Sequence, residues 1–323
     1  MTATYYANGS QVGTQSITVN AGARGTIALG ALTGLPQHVA AVVTSTQPVV
    51  VERPTYFLGI SGGIAGTVTG ASSVVGSQLL QNQWFFAEGY AGTSPSGGKT
   101  QENLVISNLD PINQPASVTI NLQYINGVHH SFTLTVPSKG QVIWNVNTNG
   151  LGAASNEVSA AITSSGAMIV AERQMYFQYV HTLNGATLHT SGGTEVTGQI
   201  ATFTSYSFAE GYNNKGYNEW LTLQNPTGSA ETIYLVMING YGNLYTQAIT
   251  VGANTRYTQD ISALVLAHMV QPGQDHRAYE VSLTVETLNG GLFVAERPMY
   301  VNTFGISTFP TQGGSDAFGY SGS

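Results

Sequence analysis

The chain has no cysteine, and disulfides, thiolate metal sites and cysteine nucleophiles are excluded together. Charge is nearly as scarce. Only 8% of the 323 residues are charged, where an average soluble domain carries roughly 25%, so hydroxyls, amides and glycine backbone must cover the surface. Long apolar runs are missing as well: nothing approaches the roughly 18 consecutive apolar residues of a membrane span, and no membrane insertion is expected. Nine basic against sixteen acidic residues give a net charge of -7. The lysines and arginines are scattered singly, without the electrostatic footprint that nucleic acid or an anionic membrane requires.

What is present is a folding composition, 42% hydrophobic with 17 tyrosines, too apolar for a disordered chain. The Thr-, Ser- and Gly-rich surface points to an extracellular or cell-surface protein. No secretory signal stands at Met1; a removed signal, or numbering that starts inside a longer chain, would account for that.

Several landmarks recur. "VVVERPTYF" (Val49 to Phe57) returns as "MIVAERQMYF" (Met168 to Phe177) and "LFVAERPMYV" (Leu292 to Val301). "WFFAEGY" at Trp84 returns as "YSFAEGY" at Tyr206, followed by "ENLVISN" at Glu102 and "EWLTLQN" at Glu219. The spacing is about 120 residues, the mark of a repeated module. Within a module the period is two: Ala116, Val118, Ile120, Leu122 and Tyr124 alternate with polar residues, and Asn126-Gly127 reads as a two-residue hairpin turn. Asn8-Gly9 and Asn239-Gly240 repeat that signal. A second hairpin is expected around Asn289-Gly290, with Gly166 marking its counterpart. About seven short strands per module argue for an all-β chain of tandem immunoglobulin-like β-sandwich modules. "ISALVLAHMV" (Ile261 to Val270) reads as a turn or two of helix.

The expected boundaries are 1–82, 83–200 and 201–307, with a tail at 308–323. The first module is incomplete: "TATYYANG" aligns with "NLQYING", so it lacks the FAEGY and ENLVISN strands. Such a sandwich exposes apolar core and unpaired backbone edges, a template for another chain. The tail "SDAFGYSGS" resembles the start of one more repeat. Asp316, Ala317, Phe318, Gly319 and Tyr320 are therefore a candidate donor strand for the next copy, which would make a head-to-tail homopolymer. The alternative is a window cut from a longer repeat array.

Each ER motif puts a glutamate and an arginine side by side on a strand, so they point to opposite faces. The pairs are Glu52 and Arg53, Glu172 and Arg173, Glu296 and Arg297. One of each is expected to be covered, and a covered charge needs a partner. Glu88 and Glu210 in the FAEG strand, or Glu102 and Glu219 in the next, are the expected partners. An acid/base pair with an arginine clamp is the catalytic reading. A cross-strand ion pair that fixes register is preferred, because an active site is seldom copied along a chain.

Other patterns carry less. "GTSPSGGKT" (Gly92 to Thr100) has Thr93 where a phosphate loop needs its first glycine, and a strand follows. "GISGG" at Gly59 lies in a glycine run and makes a poor nucleophile elbow. The seven histidines form no helical i, i+4 pair with an acid. Lys99 and Lys215 sit near Glu102 and Glu219 at offsets that differ by one, against an isopeptide staple. Neither enzyme, metal nor cofactor is expected. Tyr212, Tyr217, Tyr241 and Tyr245 are candidates for stacking on the sugars of cell-surface or matrix glycans, although tyrosine is also an ordinary strand residue.

With "WFFAEGY", "ENLVISN" and "VAERQMYF", the chain resembles an uncharacterised family of bacterial tandem-repeat surface proteins, frequent in Chloroflexi and actinobacteria. The resemblance covers both full modules and, through "VVERPTYF", the partial one. It implies secretion and an Ig-like sandwich and carries no catalytic or ligand residues. Gln174 replaces the usual proline in the second module. The function expected is a non-enzymatic extracellular structural protein that assembles into a filament or surface fibre; the alternative is a glycan-binding adhesin.

Overall fold

The computed structural model describes residues 1–150, 156–183, 185–308 and 310–321, and the chain is all-β with antiparallel pairing. Residues 1–82 hold β1 (Thr2–Ala7), β2 (Ser10–Ser16), β3 (Ala40–Thr44), β4 (Glu52–Ser61) and β5 (Thr67–Val75). Residues 83–200 hold β6 (Gln83–Phe86), β7 (Gly92–Thr93), β8 (Lys99–Asn108), β9 (Ala116–Tyr124), β10 (His129–Val136), β11 (Gly140–Asn145), β12 (Val158–Ser165), β13 (Val170–Leu183) and β14 (Ala186–Thr197). The remainder holds β15 (Ser205–Phe208), β16 (Tyr217–Asn225), β17 (Glu231–Asn239), β18 (Leu244–Val251), β19 (Thr255–Asp260), β20 (Val281–Thr287), β21 (Val294–Glu296), β22 (Met299–Asn302), β23 (Gln312–Ser315) and β24 (Tyr320–Ser321).

The second repeat has two layers, β10-β9-β12-β6 and β11-β8-β13-β14, and the third has β18-β17-β20-β15-β24 and β19-β16-β22-β23. The period-two alternation on β9 sets one wall of a core. Val118, Ile120 and Leu122 are fully buried against Leu104, Ile106 and Ala171 of the facing layer, each large aliphatic side chain contributing about 1.5–3 kcal/mol. Trp84 closes that core and donates its indole N–H to the Ile169 carbonyl at 3.0 Å. Leu221, Leu223, Ile233, Leu235 and Val285 build the same core in the third repeat. The expected helix is present over Ile261–His268, capped by the Asp260 carboxylate accepting from the Ala263 N–H.

Turn chemistry departs from expectation in two ways. Asn8 and Gly9 both have positive φ and make the expected two-residue loop between Ala7 and Ser10. At Asn126-Gly127 only the glycine does, and the Tyr124 N–H bonds to the Val128 carbonyl, giving a three-residue loop that ends on a left-handed glycine. In the third repeat that glycine is Gly242, not Gly240. The connections at Gly166 and Asn289-Gly290 are not hairpins at all: β12 and β20 pair within one layer while β13 and β21 pair in the other. These turns carry the chain across the core, which the same Asn-Gly signal serves equally well.

The first repeat is open. It has a three-stranded sheet, β2-β1-β3, and a separate two-stranded ribbon, β4-β5. Among the described residues β3 pairs only with β1 and β4 only with β5; the edges left free are those that β6 and β8 occupy in the second repeat. Apolar side chains stand in solvent there, Val50 at 84% and Leu58 at 85% exposure.

The tail is placed differently from its expected alignment with FAEGY. The ER strand and the strand after it keep one register in all repeats: Phe57 faces Gly70, Phe177 faces Gly192 and Val301 faces Gly313. That register sets Asp316 at the position of Glu195. Tyr320 then pairs with Ser207, as Gln199 bridges Phe85. Asp316 to Tyr320 thus repeat the stretch that closes the second module and lie on their own chain; Gly322 and Ser323, with Phe309, lie outside the described residues. No helix among the described residues is long and apolar enough to cross a membrane.

Candidate functional site

Two of the three ER arginines, Arg53 and Arg173, sit between repeats rather than inside one. Arg173 is 1% exposed. Its Nη2 donates to Glu296 Oε2 at 2.8 Å and to Asp316, both in the third repeat, and its Nη1 donates to the Glu88 carbonyl. Arg53 repeats the contact one junction earlier, with Nη2 2.8 Å from Glu172 Oε2 and 3.1 Å from Glu195 Oε2. Each arginine therefore grips the ER glutamate of the next repeat and the acid two residues past its glycines. This corrects the expected partners. Glu88 gives its carboxylate to Arg256, and Glu102 stays buried, its Oε2 without a hydrogen-bond partner. The arginine side of the strand faces a neighbouring module, and the nearest acid there outcompetes the one in its own sandwich. Only Arg297 keeps an expected partner, Glu219, at 3.8 Å.

The carboxylate of Glu296 is fully held: the Ala87 and Glu88 N–H groups donate to Oε1 at 2.6 and 3.2 Å. Burial alone would lower the Arg173 guanidinium; Glu296 and Asp316 outweigh it and hold it above its ordinary value. Burial, reinforced by Glu296, pushes Asp316 well above the usual carboxylate range. One arginine thus faces two carboxyl groups, and burial favours the neutral form of one of them, Asp316.

Apolar contacts repeat in step. Phe57 meets Tyr176 edge to face at 5.6 Å, and Phe177 meets Tyr300 at 5.1 Å. Both phenylalanine rings lie on glycine of the next repeat: a Cβ on Gly193 would stand 2.9 Å from the Phe57 ring and one on Gly314 2.8 Å from the Phe177 ring. Gly314→Ala is expected to cost about 1–3 kcal/mol by overpacking, while Gly228→Ala, which meets nothing within 4 Å, should leave urea midpoints unchanged.

The other sequence candidates fall outside this contact. Glu52 and Glu210 are exposed, and Glu219 is buried, accepting from Asn213 at 2.7 Å. Ala317 accepts from the Arg297 N–H at 2.9 Å, Phe318 bridges Glu296 and packs on the second repeat's core, and Gly319 approaches the Ala295 carbonyl at 3.5 Å. Sequence reasoning missed Glu195 and Arg256. Arg256 donates to the Gly89 and Val158 carbonyls as well as to Glu88. Its signal was legible: it follows a Thr-Val pair by the same spacing as Gln141 and Arg24.

A groove of about 280 Å³ beside the junction is lined by Gly192, Gly193, Glu210, Tyr212, Tyr217 and Tyr300, among others. Tyr241 instead lies under Arg277 at 4.5 Å, and Tyr245 stacks on His268 at 4.6 Å.

No family model matches the chain. No curated protein sequence matches it either. Among solved structures, the crystal structure of Thermotoga maritima 1070 is 14% identical and covers 37% of this chain and 93% of its own, at a TM-score of 0.28. The Anabaena sensory rhodopsin transducer is 20% identical and covers 30% of this chain and 97% of its own, at 0.24. The infectious bursal disease virus Gt strain structure is 8% identical over 84% of this chain and 85% of its own, at 0.15. At these scores none of the three bears on function, and the junction geometry is the guide.

Proposed function

We propose that this is a non-enzymatic structural protein of the cell surface or extracellular space, built of Ig-like sandwich modules and assembling end to end into a filament or surface fibre. The observation that carries the reading is that the two internal junctions use the same contacts, Arg53 with Glu172 and Arg173 with Glu296. A contact that works twice in one direction is heterologous, and a heterologous contact applied again extends into a filament wherever its rotation does not close a ring. The open edges of β3 and β4 favour the same outcome, since unpaired backbone beside exposed Val50 and Leu58 invites β-structure from another chain. Exchange of the tail is one form of the linkage, in which Asp316 to Tyr320 make with a neighbouring copy the contacts they make here, Ala317 and Phe318 with the ER strand and Tyr320 with β15. Sedimentation and negative-stain electron microscopy of the 323-residue chain over a concentration series should reveal rods lengthening with concentration; particles that stay monomeric throughout would refute the proposal.

A second reading, a glycan-binding adhesin, draws on the groove. Tyr212 and Tyr217 stand edge to face at 4.8 Å beside Glu210, and an aromatic face next to a carboxylate suits a pyranose ring. If it holds, Tyr217→Ala abolishes retention on a polysaccharide matrix and leaves rod formation intact.

A further inference from the structure

We infer that the third repeat ends in a vacant carboxylate socket centred on Arg297, and that its ligand is Glu52 of a second copy, with Arg24 of that copy closing a reciprocal pair on Glu210. This rests on the end-to-end reading above and names the residues that perform it.

The socket is visible by comparison with the filled one. In the second repeat, the Arg173 guanidinium lies 5.6 Å over the Phe86 ring, and Glu296 fills the space between it and the Ala87 and Glu88 N–H groups. In the third repeat the same frame stands: Arg297 lies 5.4 Å over Phe208. The carboxylate is missing. Arg297 is 8% exposed, yet its Nη1 is buried with no hydrogen-bond partner, where the Nη1 of Arg173 donates to the Glu88 carbonyl, and its acid neighbour Glu219 is 3.8 Å away. Ala87 and Glu88 are buried under the next repeat, whereas Ala209 and Glu210 at the equivalent positions are exposed. A buried guanidinium with unused donors is costly unless an anion meets it, and bidentate carboxylate is the chemistry its planar fork recognises.

The opposite end of the chain supplies that carboxylate. Glu52 begins β4 at the register position of Glu172 and Glu296 and, unlike them, is exposed. Tyr56, at the position of Tyr176 and Tyr300, is 80% exposed and free to meet Val301, which stands where Phe57 and Phe177 stand. Ser73 replaces the second acid, so Arg297 would meet a single carboxyl group.

Arg24 makes the match two-sided. "TVNAGAR", "TVPSKGQ" and "TVGANTR" end on Arg24, Gln141 and Arg256, and Gly22, Lys139 and Asn254 within them all have positive φ, so the three loops are conformational equivalents. Arg256 reaches across its junction to Glu88. Gln141 donates to Ser107 of its own repeat at 3.1 Å, and the first repeat before it has no FAEG glutamate. Arginine returns at position 24, exposed, where the repeat that would face it is the third, and that repeat offers Glu210. The basic residue thus appears only where an acid is available across the junction.

The test uses exposed positions, so folding is not at stake. In the full chain, Glu52→Arg and Arg24→Glu are each expected to weaken self-association by more than about tenfold, the loss that follows when one partner of a desolvated charge pair is reversed. Glu210→Arg should do the same, and combining Arg24→Glu with Glu210→Arg should restore rods in sedimentation and electron microscopy. If the parent chain polymerises and these reversals leave it unaffected, the socket assignment is wrong and the end-to-end reading survives. If the parent chain never associates, both fall.

Discussion

Arg173→Met is expected to cost about 3–5 kcal/mol, the loss that follows when one partner of a buried ion pair is removed. The guanidinium is fully buried between repeats and its removal strands Glu296 and the Glu88 carbonyl in an interior that water does not reach. Methionine fills the volume without answering the charge, so the penalty measures the uncompensated acid rather than a cavity. Arg53→Met removes the same contact where the arginine side chain is 46% exposed, and solvent screening should hold that loss under about 1 kcal/mol. Urea titration of both variants checks this, and the contrast matters more than either value. Equal losses would mean that exposure does not set what the pair contributes, and a small loss for Arg173→Met would mean that the buried pair contributes little. Arg173→Lys keeps the charge but not the fork and should fall between.

The all-β class and the alternation along the strands were readable as patterns, because burial on one face imposes period two; the strand count was not, since about seven strands were expected of residues 83–200 and nine are present. What sequence could not assign was partnership. Glu88, Glu102, Glu172 and Glu296 are equally acidic in the sequence, and only packing decides that Arg173 turns outward to the next repeat instead of inward to Glu102. Turn function was equally hidden: Asn289-Gly290 carries the same signal whether it joins paired strands or crosses the core. The tail misled for a related reason. "AFGY" resembles "FAEGY", yet the pairing of β22 with β23 fixes Asp316 at the acid position of Glu195, and the resemblance yields to register. The Gly-Gly pairs at 192 and 313 were the overlooked clue, since each lies beneath an aromatic ring of the preceding repeat.

Raising the pH from about 5 to about 8.5 is expected to destabilise the chain, against the usual trend for a protein with a net charge of -7 and buried carboxylates paired to arginine. Burial pushes Glu102 up to about 8 and Glu219 up to about 7, only partly opposed by Arg173 and Arg297 respectively. Each is 1% exposed or less and each has one carboxylate oxygen with no hydrogen-bond partner, the setting in which the neutral acid is favoured. In the unfolded chain both ionise near their ordinary value of 4.5. Between that value and the folded ones the native state holds protons that the unfolded state has released, so stability falls as pH climbs through this window and levels off above about 8. The two groups together contribute on the order of several kcal/mol across it. Thermal unfolding at constant ionic strength should give midpoints that decline steadily from about pH 5 to about pH 8. Glu102→Gln, which stays neutral at every pH, should raise the midpoint at about pH 8.5 and reduce the slope, with Glu219→Gln reducing it between about 5 and 7, and Asp316, which burial also raises, supplies part of what remains. A midpoint that rises toward pH 8 in the parent chain would show these acids to be ionised in the fold, with Arg173 and Arg297 satisfying two carboxylates at once.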